Sequence, residues 1–328
     1  MIIVRTPLRI SFAGGGTDLP GYYKKFEGKV ISTTINKFIY IIIKKQVGFV
    51  EYKYRINWSK SEFKNNINKI ENPIAREILK LFKINFPIEI TTFSDIPAQT
   101  GLGSSSAFAV GLINGISKLL KKNLTKKKIA ELAFKIEVKI LKRKIGKQDH
   151  YATSYGGLNK YIFKKNEKVI VKKIKIKKKF ISKFQKSCIL LFTNQTRNAH
   201  DVLKKQANPK KKQIIEFQKM KKEIFEFERF FKNSLFDSKR FGFLLDRQWN
   251  FKKKINKLVR SDYLDKVYKK SLKKGSYGGK LLGAGNGGFY LFSCNNFAIS
   301  KITNIFGSEN IIKFELESSG SKVMFKKN

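Results

Sequence analysis

Residues Ser94 to Ile116 read SDIPAQTGLGSSSAFAVGLINGI. A Gly-x-Gly, Gly101 to Gly103, and three consecutive serines, Ser104 to Ser106, stand directly before a long apolar run. Linkers do not usually end so abruptly. Leu112, Ile113, Ile116, Leu119 and Leu120 recur at helical spacing, so the segment from Ser106 reads as a helix with an apolar face. A helix N-terminus offers unpaired backbone N–H groups and a partial positive charge. Glycines let the backbone approach a ligand, and serine hydroxyls can bind phosphate oxygens or a metal. The run Gly101, Leu102, Gly103, Ser104, Ser105, Ser106 therefore suits a phosphate cradle. A glycine turn with a serine cap explains the same residues, and the local sequence leaves both readings open.

Working outward, PIEITTFSDIP reads as a strand entering the loop, and NPIAREILKLFKI before it has a helical period. After it, Thr125 is a plausible N-cap for a second helix whose stripe is Ile129, Leu132, Ala133, Ile136 and Ile140. GKQDHYATSYGGLNKYIF reads as a loop leading into strands. Residues 1–13 read as a strand, GGGTDLPGYY as a Gly-rich turn, and KVISTTINKFIYIIIKKQ and GFVEYKYRINW as β-rich segments. The very basic VIVKKIKIKKKF partly alternates like a half-exposed strand, and a domain boundary is expected just after it, giving domains 1–180 and 181–328. SCILLFTN opens the second half as a buried strand, and helices dominate from about 198 to 274. GGKLLGAGNGGFYLFSC is a Gly-rich loop entering a strand, and IIKFELE a late strand. Strands and helices mix without a regular βαβ repeat, so the expected class is α+β.

The chain has 328 residues and is 41% hydrophobic with 29 Phe, which allows a sizeable core and argues against global disorder. Lys and Arg number 70 against 24 Asp and Glu, a formal charge of +46. Such a charge raises nucleic-acid or anionic-membrane binding. The lysines are spread along the whole chain, however, and Lys, Ile, Phe and Asn all have A/T-rich codons, so a solvated basic surface is the better account. Either way the field attracts phosphorylated small molecules. The two cysteines, Cys188 and Cys294, lie far apart in apolar runs, which points to buried thiols in a reducing compartment. The N-terminus has no signal-peptide pattern, and no apolar run approaches about 18 residues, so neither export nor a membrane span is expected.

Familiar nucleotide signatures are missing: there is no Walker G-x-x-x-x-G-K-[ST] and no H-R-D with D-F-G. Three further clusters stand out. TPLRISFAGGGTDLPGYY carries Arg9 on a strand and Asp18 just past three glycines; GKQDHYATSYGGLN carries Asp149; GGKLLGAGNGGFYLF is glycine-rich. Together with PAQTGLGSSSA, they resemble the three ordered motifs of the GHMP kinase superfamily (galactokinase, homoserine, mevalonate and phosphomevalonate kinases), and the resemblance spans nearly the whole chain. PLRISFAGGGTDLP, GKQDHYATSYGGLN and FTNQTRNAHDV look like the D-glycero-D-manno-heptose 7-phosphate kinase branch. His150 departs from it, standing where that branch usually has Gln.

The resemblance implies a two-domain fold, with an N-terminal ribosomal protein S5 domain 2-like unit and a C-terminal ferredoxin-like α/β unit. It implies transfer of the ATP γ-phosphoryl group to the anomeric hydroxyl of the heptose 7-phosphate, giving a 1,7-bisphosphate for GDP-heptose and surface-glycan precursors. A fucose- or galactose-like acceptor is the alternative. Gly101, Leu102, Gly103, Ser104, Ser105 and Ser106 would take the ATP phosphates, and Ser105 and Glu137 would ligate Mg²⁺. Asp149 would accept or orient the hydroxyl proton, and Arg9 would stabilise the moving charge. Gly15, Gly16, Thr17, Asp18 and Gly285 would bind substrate. Each has a plainer reading: a turn aspartate for Asp149 or Asp18, a snorkelling arginine for Arg9, and a lysine salt bridge for Glu137. Glu137 borders an apolar helical face, where a carboxylate is costly unless it is paired or binds a cation. Gly283, Gly285, Gly287 and Gly288 would let their loop close against the phosphate loop, or simply make a tight turn. His150 and His200 read as structural or surface residues.

The expected partners are ATP and a small sugar phosphate, with no specific nucleic acid and no membrane, in a cytoplasmic monomer or homodimer. A basic nucleic-acid-binding protein is the rival of another class. A degenerate kinase fold acting as a regulator is a third reading, opposed by the intact acids and glycines.

Overall fold

The computed structural model describes residues 1–326 apart from 49, 197–201, 203 and 205. His200 and most of the TRNAHD stretch therefore lie outside the described residues.

The chain opens with β1 (Ile2–Ala13), α1 (Pro20–Phe26) and the long β2 (Gly28–Lys45). β3 (Tyr54–Asn57), β4 (Ser61–Lys64), α2 (Pro73–Leu81) and β5 (Ile88–Ser94) follow. Then come α3 (Ser104–Leu119), α4 (Lys126–Phe134) running into a π-turn (Lys135–Ile140), α5 (Gln148–Tyr155), β6 (Asn159–Phe163) and β7 (Val169–Lys173). The second half has α6 (Lys178–Ser187), β8 (Cys188–Phe192), α7 (Lys211–Lys222), α8 (Ile224–Lys232), α9 (Ser238–Ile255), α10 (Asp262–Lys273), β9 (Gly278–Leu281) and β10 (Phe289–Ser293). It closes with α11 (Asn296–Phe306), β11 (Ile311–Ile312), β12 (Leu316–Glu317) and β13 (Lys322–Lys326).

The architecture is α+β with two sheets. The larger follows the order β13-β1-β2-β5-β3-β4, and its long central β2 also pairs β6 and β12. All its pairings are antiparallel except β3 with β5. The smaller has the order β11-β8-β10-β9. Buried thiols lie at the start of β8, Cys188, and just past β10, Cys294.

α3 is buried on every face from Ser106 to Ser117, more deeply than its single apolar stripe required. It lies on β1 and β2, and the absence of side chains at Gly111 and Gly115 permits the approach. A Cβ on Gly111 would stand 2.6 Å from Thr6 Oγ1, and one on Gly115 2.4 Å from Ile43 Cδ1. The Thr125 hydroxyl does cap α4, accepting from Lys128 N at 3.2 Å.

Two local readings are corrected. GKQDHYATSYGG is not a loop: residues 148–155 form α5, ended by Gly156 at φ +73°. Its residues 150–154 are all buried, so no polar face betrays a helical period. IIKFELE is not one strand: Ile311–Ile312 pairs β8 in the small sheet, and Leu316–Glu317 pairs β2 in the large one. The chain thus crosses between sheets within four residues, and β13 returns to pair β1.

The junction is aromatic. Phe12, near the end of β1, packs on Phe184, Phe231 and Phe241 with ring centroids 6.0, 5.2 and 5.6 Å away. Those partners come from α6, α8 and α9, so the C-terminal end of β1 is bound to helices of the second half. Each such pair adds about 0.5–1.5 kcal/mol beyond its buried area. This fixes the end of β1, and with it the loop Gly14–Asp18.

Candidate active site

Most of the expected site residues gather around one cavity of about 780 Å³; Thr17, Leu102 and Gly285 do not line it. Arg9 reaches it from β1 and is 4% exposed. Its Nε and Nη2 donate to Oδ1 and Oδ2 of Asp149, both at 2.7 Å, and its Nη1 donates to the Gly101 carbonyl at 2.7 Å. The Arg9 backbone N–H donates to Leu102 O at 3.0 Å. One residue therefore ties β1 to both the phosphate-loop candidate and the candidate acid. The fork is a charge-assisted bidentate pair, the geometry arginine makes and lysine cannot.

The stretch 101–106 ends as a helix start. Gly103 is the N-cap of α3 in a left-handed conformation, φ +80°. A Cβ there would lie 3.2 Å from Arg9 Cγ and 3.4 Å from Asp149 Oδ2. The first intrahelical bond is Ala107 N to Gly103 O at 3.0 Å, so the amides of Ser104, Ser105 and Ser106 precede the helical ladder. Gly101, Gly103 and all three serines line the cavity. The C-terminal glycine motif packs behind this loop. Phe289 N donates to Thr100 O at 3.2 Å, and a Cβ on Gly283 would fall 2.5 Å from Gly101 Cα.

Glu137 sits in the π-turn and is fully buried. Its Oε1 accepts from Ser105 Oγ at 2.5 Å and Arg143 Nη1 at 2.8 Å. Its Oε2 accepts from Ser106 Oγ at 2.9 Å and is 2.8 Å from His150 Nε2. Burial pushes the carboxyl up, but hydrogen bonds and charge from His150, with Ser105 and Arg143, outweigh this and hold it at about 2. The Glu137 carboxyl is thus held in its ionised form and joined to two of the three loop serines.

Asp18 is also buried. Gly16 N donates to its Oδ1 at 2.9 Å and Gln148 N to its Oδ2 at 3.0 Å. Burial raises its pKa against those amide bonds, and the Asp149 charge raises it further. Gly15, Gly16 and Asp18 line the cavity. Thr17 is fully buried, and its hydroxyl donates to Gly14 O and Lys29 O and accepts from Lys29 N; it holds the loop and does not border the cavity. Gly285 packs on Val259, where a Cβ would be 2.3 Å from Val259 Cβ, and Leu102 is buried behind the loop.

Sequence reasoning passed over several lining residues. Arg143, Lys252, Lys280, Ser11, Gln148 and Gln206 all border the cavity. His150 is buried and hydrogen-bonded to Glu137, a contact only the fold could reveal because the two lie on separate elements. At another part of the wall are Trp58, Pro73 and Phe93, a surface suited to a planar apolar group.

The GHMP kinases N-terminal domain model matches residues 66–157. The D-glycero-alpha-D-manno-heptose 7-phosphate kinase of Campylobacter jejuni is 35% identical over 305 residues, covering 89% of this chain and 88% of that protein. The chain belongs to the GHMP kinase family. The bifunctional fucokinase/GDP-fucose pyrophosphorylase of Arabidopsis thaliana is 23% identical, over 88% of this chain but 29% of that protein. Among solved structures, a sugar kinase from C. jejuni described as putative is 29% identical, with TM-score 0.71 over 98% of this chain and 97% of the other. A D-glycero-D-manno-heptose 1-phosphate kinase from Bacteroides thetaiotaomicron shares the fold, with TM-score 0.80 over the full length of both chains at 23% identity.

This GHMP kinase is a sugar kinase, a phosphotransferase with an alcohol acceptor, in a family whose donor is ATP. Among its described residues no helix is long and apolar enough to cross a membrane.

Proposed function

We propose that this sugar kinase transfers the γ-phosphoryl group of ATP to the anomeric hydroxyl of D-glycero-D-manno-heptose 7-phosphate, in the cytoplasm, giving the 1,7-bisphosphate. The observation that carries the reading is the Arg9–Asp149 fork, set between the N-terminal serines of α3 and the Gly15–Asp18 loop. The 35% identical heptose 7-phosphate kinase supports the choice of sugar.

Phosphoryl transfer needs positioning, charge neutralisation and a route for the hydroxyl proton. The amides before the α3 ladder and the serine hydroxyls receive the donor phosphates. Both Asp149 oxygens are held by Arg9, but a carboxylate has about four acceptor sites, so Asp149 retains capacity to take or orient the acceptor hydroxyl proton. Arg9, fixed by the same fork, lies where charge builds between donor and acceptor. Asp18, anchored by two amides, accepts from sugar hydroxyls. Trp58, Pro73 and Phe93 offer apolar surface for the base.

Ser105 and Glu137 offer the hard oxygens Mg²⁺ prefers, but Glu137 already accepts from four donors, so an ion would take the place Arg143 now holds against Glu137 Oε1 and Ser105 Oγ. These two residues would hold the ion, which when bound would neutralise phosphate charge. A domain boundary near residue 180 remains our proposal, with α6 running across that point and β12 and β13 returning to the larger sheet.

The test is ADP formation with Mg-ATP across heptose 7-phosphate, heptose 1-phosphate, fucose and galactose, with ³¹P NMR of the product. Turnover of the 7-phosphate to an anomeric phosphate is expected. Brisk turnover of free fucose or galactose with none on the heptose would replace the substrate.

A further inference from the structure

The cavity wall holds a buried lysine with no acidic partner among the described residues. Lys280, on β9, is 5% exposed and lines the cavity. Its Nζ donates to the Phe12 carbonyl at 3.0 Å. An ammonium carries three donors, and among the described residues no ion pair engages this one. The charge it feels most is Arg9, of the same sign. Burial disfavours the charged form here, and an anion set beside the amine would hold the proton on, so the position is one that a bound phosphate would complete.

Its position separates two possible anions. Arg9 is the residue of β1 whose N–H meets Leu102, at the phosphate loop. Phe12 lies three residues further on, about 10 Å along the strand at ~3.3 Å per residue, toward the Gly15–Asp18 loop. Lys280 is therefore at the acceptor end. Polar groups there also lack protein partners: Ser11 Oγ, Gln148 Oε1 and Gln206 Nε2 are buried without one. Ser11 and Gln206 are 5% and 4% exposed, and all three residues line the cavity. They surround the two glycines: a Cβ on Gly15 would meet Ser11 Oγ at 3.5 Å and Gln148 Nε2 at 3.6 Å, and one on Gly16 would meet Gln206 Oε1 at 3.6 Å. Buried groups left unsatisfied along one wall are what a polyhydroxylated ligand completes.

We propose that Lys280 receives the phosphate already carried by the acceptor, with Ser11, Gln148 and Gln206 taking its hydroxyls, so that Lys280 sets the preference for a phosphorylated over a free sugar. This rests on the kinase reading above and adds the group that recognises the substrate phosphate.

The experiment compares kcat/KM on heptose 7-phosphate and on the same heptose without phosphate, for wild type and Lys280→Met. The ratio of the two should collapse by about 100-fold in the variant, as for removal of a buried charge partner, mostly through KM. Lys280→Arg should keep most of the ratio. An unchanged ratio overturns the proposal, as does an equal loss on both sugars carried in kcat, which would put Lys280 on the transferring group. A second measurement does not depend on the sugar chosen. With the donor site filled by a non-hydrolysable ATP analogue, inorganic phosphate is titrated into each protein by calorimetry. Binding to wild type and to Lys280→Arg but not to Lys280→Met supports the assignment. Equal binding to wild type and Lys280→Met, or none to any, overturns it. Should wild type turn over no heptose, the substrate reading fails while this titration still decides Lys280.

Discussion

Arg9 and Asp149 are 140 positions apart in sequence and are joined by two parallel hydrogen bonds of 2.7 Å each. The third guanidinium arm holds Gly101 O. A single planar group thus sets the distance between the candidate acid and the loop that cradles phosphate. Catalysis of phosphoryl transfer is chiefly positioning and electrostatics, so this fork is the feature on which the site's geometry turns.

Asp149→Asn keeps the shape of the side chain but puts an amide where one carboxylate oxygen received Arg9. The transfer rate in single turnover should fall by on the order of 10²–10⁴, with nucleotide affinity changed little because the phosphate loop has its own anchors. A transfer rate near wild type would remove Asp149 from the chemistry.

Glu137→Gln tests the buried anion. Ser105, Ser106, Arg143 and His150 all converge on its two oxygens. Removing the charge leaves them facing a neutral amide, and breaking a buried network of this kind costs about 3–5 kcal/mol. The variant should melt earlier and need more Mg²⁺ to reach half-maximal rate at fixed ATP. Wild-type melting together with a wild-type Mg²⁺ curve would contradict the role given to Glu137.

What the sequence discloses here depends on how local the signal is. The glycine turn before α3, the β1 strand and the Thr125 cap are written in adjacent residues and the structure has them there, although α3 begins at Ser104, two residues earlier than its apolar spacing indicates. Glu137 stood out because a carboxylate at the edge of an apolar stripe has to be accounted for. The Arg9–Asp149 fork and the His150–Glu137 contact depend on how separate elements pack, which no spacing reveals. α5 was hidden because it is buried along most of its length, and Lys280 because one lysine among so many carries no mark until its burial is known. Thr17 looked like a ligand residue because it adjoins Asp18, yet its hydroxyl closes the turn on Gly14 and Lys29.

Gly283→Ala tests the contact between the two glycine-rich loops. Gly283 has φ +63°, and the added Cβ would lie 2.5 Å from Gly101 Cα, a backbone atom that cannot rotate away. Relief requires the loops to part, at a cost of roughly 1–3 kcal/mol in strain. Nucleotide affinity, read by a fluorescent ADP analogue, should weaken while the melting temperature also falls. Unchanged affinity would show that the C-terminal motif does not support the phosphate loop.

The last prediction concerns pH. Burial, and then the charge of Arg9, lower the Lys280 pKa from 10.5 to about 7. The charge that acts on it is Arg9 on β1; Lys252 on α9, Asp18 and Asp149 line the same cavity. Below pH 7 the ammonium is charged in both folded and unfolded chains, and the full cost of burying it is present. Between pH 7 and 10.5 the unfolded chain holds this proton and the folded one does not, so this group's contribution to stability rises with pH. Lys280→Met removes the cost altogether. The variant should therefore gain melting temperature over wild type at pH 6 and gain progressively less toward pH 10. Comparing the two proteins at each pH cancels titration elsewhere in the chain. An equal difference at both ends of the range would mean that Lys280 keeps its proton throughout and that its burial is offset by a partner.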